Sequence, residues 1–137
     1  MNRYLLDTNV ISELRKAKPH GAVIAWLSDL RDDQIFLSAV TVGELQTGIE
    51  MTRQQDPAKA AEIEAWVEQV ADSYQVLPMD TTCFREWARL MMGKPGRLME
   101  DVMIAATVRV NDLIVATRNE RDFEQLRVEV LNPFQTQ

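Results

Sequence analysis

Histidine occurs once in this chain, at His20, and cysteine once, at Cys83. One histidine excludes the His-rich pattern of most zinc sites and leaves a single imidazole for acid–base work. His20 follows Pro19 in a segment that reads as a loop, so an exposed ring is expected. One thiol excludes an internal disulfide. Cys83 is expected to be a buried helical thiol, and a reducing cytoplasm is the compartment that fits. The chain also lacks a P-loop, a GxGxxG turn, a Cys-rich zinc pattern and a GxSxG elbow. No apolar run approaches membrane-spanning length. In the opening Met-Asn-Arg-Tyr-Leu-Leu-Asp, an acidic residue interrupts the apolar run too early for a signal peptide. Basic charge is short as well: 15 Lys and Arg stand against 21 Asp and Glu, a net charge of −6. That argues against a protein that coats a nucleic-acid duplex. A nuclease that grips its substrate through metal ions can still be acidic, because the metals reverse the local sign.

What is present suits one compact domain over residues 1–137. Hydrophobic residues make up 46% and charged residues 26%, a balance that predicts a packed core. Short apolar runs at 3–6, 34–38, 75–77, 113–116 and 128–131 read as strands. Helical spacing marks 10–15, 22–30, 58–72, a segment after Asp80 or Thr81, and 98–110. Thr41-Val42-Gly43-Glu44 has the capping-box pattern and predicts a helix from Thr41 to about Arg53. Gly93 to Gly96 reads as a loop, as does the polar stretch from Thr117 to Phe123. The helix at 98–110 is apolar nearly all round, which predicts a central, buried element. Strands alternating with helices imply an α/β fold with helices on both faces of a parallel sheet.

In such a sheet ligands gather outside the carboxyl ends of the strands. Asp7 follows the first strand, and Asp122 lies after the strand at 113–116. Glu44 and Asp101 sit in the predicted first turns of their helices. Clustered carboxylates raise one another's pKa and call for a cation. Mg²⁺ suits such a site: it takes oxygen ligands and can activate water for phosphodiester cleavage. Each acid also has a local reading. Asp7 can cap the next helix, Glu44 can be half of the capping box, Asp101 with Glu100 can favour a helix N-terminus, and Asp122 can cap a turn. For Asp101 the wholly apolar helix that follows places it on a core border, where an unpaired carboxylate is costly.

Four segments carry a family resemblance. They are Tyr4-Leu-Leu-Asp7-Thr-Asn-Val-Ile11, Leu37-Ser-Ala-Val-Thr-Val-Gly-Glu44-Leu45, Asp101-Val-Met-Ile-Ala-Ala-Thr107 and Val115-Ala-Thr-Arg-Asn-Glu-Arg-Asp122-Phe123. In order and spacing the chain resembles PIN domains, in the branch of toxin nucleases of bacterial toxin–antitoxin pairs, the VapC and FitB group. The resemblance implies a three-layer α/β/α fold with a mostly parallel sheet. It implies an acidic pocket holding Mg²⁺ or Mn²⁺, RNA cleavage, a homodimer, and a small antitoxin that blocks the site. Asp7, Glu44 and Asp101 match the first three acidic positions. The fourth is Asp122 in the Asn-x-x-Asp-Phe version, whereas many relatives place an acid where this chain has Asn119. Thr8, Asn9, Thr117 and Asn119 are the auxiliary polar groups beside it. For Arg118 and Arg121 two readings stand: contact with substrate phosphate, or solvated loop charge. Val23, Trp26 and Leu27 are either core or a dock for an amphipathic helix of the partner.

Two other functions compete. Phosphoryl-acceptor aspartates also follow the first strand of a parallel sheet. Phosphatases of that kind want a second aspartate two positions on, where this chain has Asn9. They and receiver domains want a late lysine, and none follows Lys94. A scaffold that only binds a partner would be expected to have lost acids from the set, and all four are here.

Overall fold

The computed structural model describes residues 1–93 and 99–135. Five strands form one sheet: β1 (Tyr4–Leu6), β2 (Ile35–Ser38), β3 (Gln75–Leu77), β4 (Ile114–Ala116) and β5 (Val130–Leu131). Their order is β3-β2-β1-β4-β5, and each neighbouring pair is parallel. Seven helices connect them: α1 (Thr8–Leu14), α2 (Gly21–Ser28), α3 (Ala39–Arg53), α4 (Pro57–Ser73), α5 (Thr81–Met91), α6 (Met99–Val110) and α7 (Glu120–Glu124). The expected α/β/α class is the one observed.

Strand alternation divides the core. Leu6, Ile35, Leu37 and Ala116 face one layer, with Val10 and Ile11 of α1, Val23 of α2, and Trp66 and Val70 of α4. Leu5, Phe36 and Val115 face the other, with Leu90 of α5 and Val102, Ile104, Ala105 and Val108 of α6. Burying each such side chain contributes roughly 1.5–3 kcal/mol. α6 is as central as its all-round apolar pattern predicts: six of its residues are buried. Cys83 is a buried free thiol on α5.

Two local expectations change, and a third choice is decided. First, α3 begins at Ala39, not Thr41. Ser38 ends β2 in extended backbone and its hydroxyl accepts the Val40 N–H, so the cap comes earlier. Thr41 is then a buried residue inside the helix, and Glu44 lies in its second turn. Second, the polar stretch after Thr117 is not all loop, since Glu120–Glu124 forms α7 and carries Asp122 in its first turn. Its Phe123 is fully buried, and that anchor is the tertiary reason for a helix in a polar segment. Third, Val23 is fully buried, while Trp26 and Leu27 pack on the core, with Trp26 edge-on to Tyr4 at 5.0 Å. Val23 is core and offers no free dock. Gly93, with φ of 74°, belongs to the expected loop after α5. The rest of that loop and the Leu98 helix start lie outside the described residues.

Candidate active site

Parallel register builds the site. β1 pairs with β4 so that Leu6 stands beside Ala116. The next residues, Asp7 and Thr117, therefore leave the sheet side by side at its carboxyl edge. β1 is also where the strand order switches direction, because β2 flanks it on one side and β4 on the other. A crevice opens at such a point.

Asp7 is 4% exposed and caps α1. Its Oδ1 accepts the Thr8 N–H at 2.8 Å. Its Oδ2 accepts the Thr117 hydroxyl at 2.8 Å and the Asn9 amide at 3.2 Å. The capping reading and the site reading thus hold for one carboxylate. Thr117 is fully buried, and its oxygen also accepts the Asn119 N–H at 3.0 Å. Asn9 closes the ring by accepting the Arg118 N–H at 3.2 Å. Glu44 is half-buried, and its Oε1 accepts the Thr8 hydroxyl at 2.7 Å. So Thr8, Asn9 and Thr117 act first on carboxylates: they orient Asp7 and Glu44. Asn119 occupies the cap position of α7 without a side-chain cap bond.

Electrostatics ties the acids together. Burial raises the Asp7 pKa despite its hydrogen bonds to Thr117 and Thr8. Burial also raises Glu44, with added repulsion from Asp7 and Glu100. Asp101 at the start of α6 is pushed up to about 6, first by burial, then by the charges of Asp7, Glu44, Asp122 and Glu100. Among the described residues, every charge that shifts Asp101 is negative. α6 therefore does begin at the same edge as Asp7, the point that chain order alone left open. Asp122 is exposed at the rim. Glu100 was not singled out from sequence. Its position next to Asp101 in the first turn of an apolar helix was the available signal, but it looked like a dipole partner.

The donor set is all oxygen, which suits a hard divalent cation and not a soft one. As placed, no group of three or more acid, His or Cys side chains among the described residues could hold an ion by itself. The donors present fit Mg²⁺ or Mn²⁺.

A cleft of about 730 Å³ lies at the opposite, amino edge of the sheet, lined by Arg3, Glu86, Arg109, Asp112, Arg127 and Glu129 among others. One pair of its charges is committed. Arg109 pairs with Glu86 at 2.6 Å and donates to the Arg127 carbonyl, and Arg3 donates to the Asn111 carbonyl. Chemistry is better supported at the acidic edge, where carboxylates raise one another's pKa. His20 is exposed, as expected, and its Nδ1 accepts the Ala22 N–H to cap α2. It is spoken for structurally.

Comparison with known proteins identifies the family and agrees with the fold. The family model described as PIN domain matches residues 4–129. The chain is 35% identical over 142 residues to the VapC ribonuclease Y4jK of Sinorhizobium fredii, covering 96% of this chain and 97% of that protein. It is 33% identical over 136 residues to Toxin FitB of Neisseria gonorrhoeae, covering 95% and 97%. In three dimensions it is similar to FitAcB from Neisseria gonorrhoeae, with a TM-score of 0.86 and 32% identity over 97% of this chain and 99% of that one. The chain belongs to the PIN domain family, with VapC and FitB proteins among its relatives.

Proposed function

We propose that this protein is a Mg²⁺-dependent endoribonuclease and the toxin of a toxin–antitoxin pair. The observation that carries the proposal is the gathering of Asp7, Glu44 and Asp101 at one edge of the sheet, close enough with Asp122 for the other three charges to raise Asp101. The names of relatives support the reading: one is called a VapC ribonuclease, another a toxin, and a third a tRNA(fMet)-specific endonuclease.

Asp7 and Asp101, with Glu44 and Asp122, are the residues proposed to hold Mg²⁺, or Mn²⁺ in its place. When bound, the cation supplies activation of water and stabilisation of the leaving oxygen in phosphodiester hydrolysis. Thr117 and Asn9 hold the Asp7 Oδ2 lone pairs in place, and Thr8 holds Glu44. That hydrogen-bonded frame keeps the acids from turning away from one another, so their repulsion is stored at the site. The buried walls of Leu6, Val102 and Ala116 lower the local dielectric and strengthen every charge interaction there.

The partner proposed is a small antitoxin that places a basic side chain among the four acids. A guanidinium there would pair with carboxylates and fill the cation's place. Solved relatives include toxin–antitoxin complexes of the FitAB and VapBC kinds. A homodimer and a cytoplasmic location belong to the same proposal. No described helix is long and apolar enough to cross a membrane.

The test is cleavage of RNA by purified protein freed of any partner. Cleavage with Mg²⁺ or Mn²⁺ and its loss in EDTA are expected. Undiminished cleavage in EDTA would refute the metal-dependent reading, and absence of cleavage with either metal would favour a binding scaffold.

A further inference from the structure

A second buried carboxylate lies on the helix that Asp7 caps. Glu13 is 5% exposed, and cations surround it. Its Oε1 pairs with Lys16 Nζ at 2.9 Å and lies 4.0 Å from Arg118 Nη2. Its Oε2 accepts the His20 backbone N–H at 2.9 Å. Two cations thus share one carboxylate oxygen, and a single negative charge cannot neutralise both. Glu120, held by Asn132, adds a second negative charge nearby, so what the cluster offers is two solvent-facing cations in a chain of net charge −6. Both cations remain open to solvent, Lys16 at 61% and Arg118 at 52% of side-chain surface.

Arg118 is fixed from two further sides. Its backbone N–H is bound by Asn9, which itself donates to Asp7, so Arg118 belongs to the hydrogen-bond frame of the acid site. Its guanidinium lies over the Phe134 ring, with Cζ 3.7 Å from the centroid. Phe134 is held in turn. Its N–H donates to Asn132, the Asn132 amide donates to Glu120, and the His20 ring packs edge-on at 5.5 Å. Stacking on an aromatic face fixes the guanidinium plane and removes water from one side of it. Among the described residues the guanidinium makes no hydrogen bond within 3.5 Å, so its donors stay available.

We propose that Arg118, with Lys16 beside it, is a preformed subsite for an RNA backbone phosphate flanking the phosphodiester that is cut. The inference rests on the ribonuclease reading above. A planar guanidinium already oriented by Phe134 matches phosphate oxygens and loses little freedom on binding. Its location answers the electrostatic objection to an acidic nuclease. Neighbouring phosphates are repelled by the clustered acids, and Arg118 with Lys16 gives one of them a place at the end of α1. Phe134 and Glu13 are positioning residues: they act through Arg118 and Lys16.

The test compares the full chain with Arg118→Gln, Arg118→Lys and Phe134→Leu in steady-state cleavage of a single-stranded oligoribonucleotide with Mg²⁺. Arg118→Gln is expected to raise KM about three- to tenfold with little change in kcat. It should also reduce the slope of log KM against log salt by about 0.7, the loss of one single-strand phosphate contact. Arg118→Lys should keep most of that slope while raising KM less. Phe134→Leu should raise KM with the slope retained. Thermal melts of the two Arg118 variants should stay near wild type, since half the side chain is exposed. An unchanged KM and salt slope in Arg118→Gln overturns the proposal. So does a fall in kcat alone, which would place Arg118 with the reacting atoms. Unchanged RNA kinetics with weakened binding of a co-expressed protein partner overturns it in favour of a protein contact. RNA binding in EDTA separates this inference from the one beneath it. Wild type that binds RNA more tightly than Arg118→Gln but never cleaves would sink the nuclease and leave the subsite standing.

Discussion

Asp7 and Glu13 stand at the two ends of α1, both buried, and their surroundings treat them oppositely. Asp7 sits at the helix N-terminus, where the backbone dipole favours an anion, yet burial still raises its pKa. Glu13 sits near the C-terminus, where the dipole disfavours an anion, yet its pKa is lowered, chiefly by its hydrogen bond with Lys16. The difference lies in the neighbours. Glu13 has Lys16 and Arg118. Burial raises Asp7 with no described cation to offset it, and its charge in turn raises Glu44 and Asp101. A buried carboxylate with cations is part of the architecture. One that burial raises and no described cation offsets costs stability, a cost the proposed cation would relieve.

The largest effect expected from this contrast is on cleavage. Asp7→Asn and Asp101→Asn should each reduce the metal-dependent rate by roughly 100-fold or more, because each removes a charge from the proposed cation site. Asn is also a good N-cap, so Asp7→Asn should keep α1. Glu13→Gln should do the reverse, lowering Tm while leaving most of kcat. Rate assays beside thermal melts decide this, and a Glu13→Gln protein as inactive as Asp101→Asn would break the contrast.

Next in size is the response to the cation itself. The proposed Mg²⁺ would bind the folded state alone, so at 100 times its Kd it should stabilise wild type by about 2.7 kcal/mol. Tm should rise with Mg²⁺ for wild type and for Glu13→Gln, and hardly at all for Asp101→Asn. Equal shifts in all three would mean that the ion binds elsewhere.

A smaller effect is the pH dependence of stability in EDTA, where Asp101 of the acid cluster and Glu13 of α1 should have opposite signs. Asp101 has a folded pKa raised from 3.8 to about 6. Its ionisation therefore costs stability, a cost that grows as pH rises through that window and is complete above about 6. Allowing for solvent screening, Asp101→Asn should be more stable than wild type by about 1 kcal/mol at pH 7, and by little near pH 3.5. Glu13 has a folded pKa below 4.5, so its contribution is present above 4.5 and is lost as pH falls through the folded value. Glu13→Gln should thus differ from wild type at pH 7 and approach it in acid. Urea titrations across this range measure both, and curves of the same sign would remove the distinction.

Much of the site was legible before any coordinates. Asp7 could be placed because a short apolar strand ran straight into it, and Asp101 because an apolar helix followed it. The class of fold followed from alternating elements. Other features were hidden by physics that no local pattern carries. Thr41 matched a capping box, but Ser38 at the strand end reached the Val40 N–H first. The Glu44 partner is Thr8, thirty-six positions earlier in the chain, and not its own helix terminus. α7 forms in a polar stretch because Phe123 is buried beneath it. Glu13 went unremarked because one glutamate in a short helix normally faces water.

By itself the sequence determined the α/β class, the central role of α6, and the supply of acids against a shortage of histidine, thiol and base. Periodicity and composition settle such matters, since they depend on which faces must be buried. Only tertiary structure decided which acids share a charge field and which are neutralised. Parallel register set Asp7 beside Thr117, and the Asn9–Arg118 bond with the Phe134 stack brought a late-chain cation to the end of α1. The ionisation of a carboxylate depends on charges within a few ångströms, and in a folded chain those come from residues far apart in sequence.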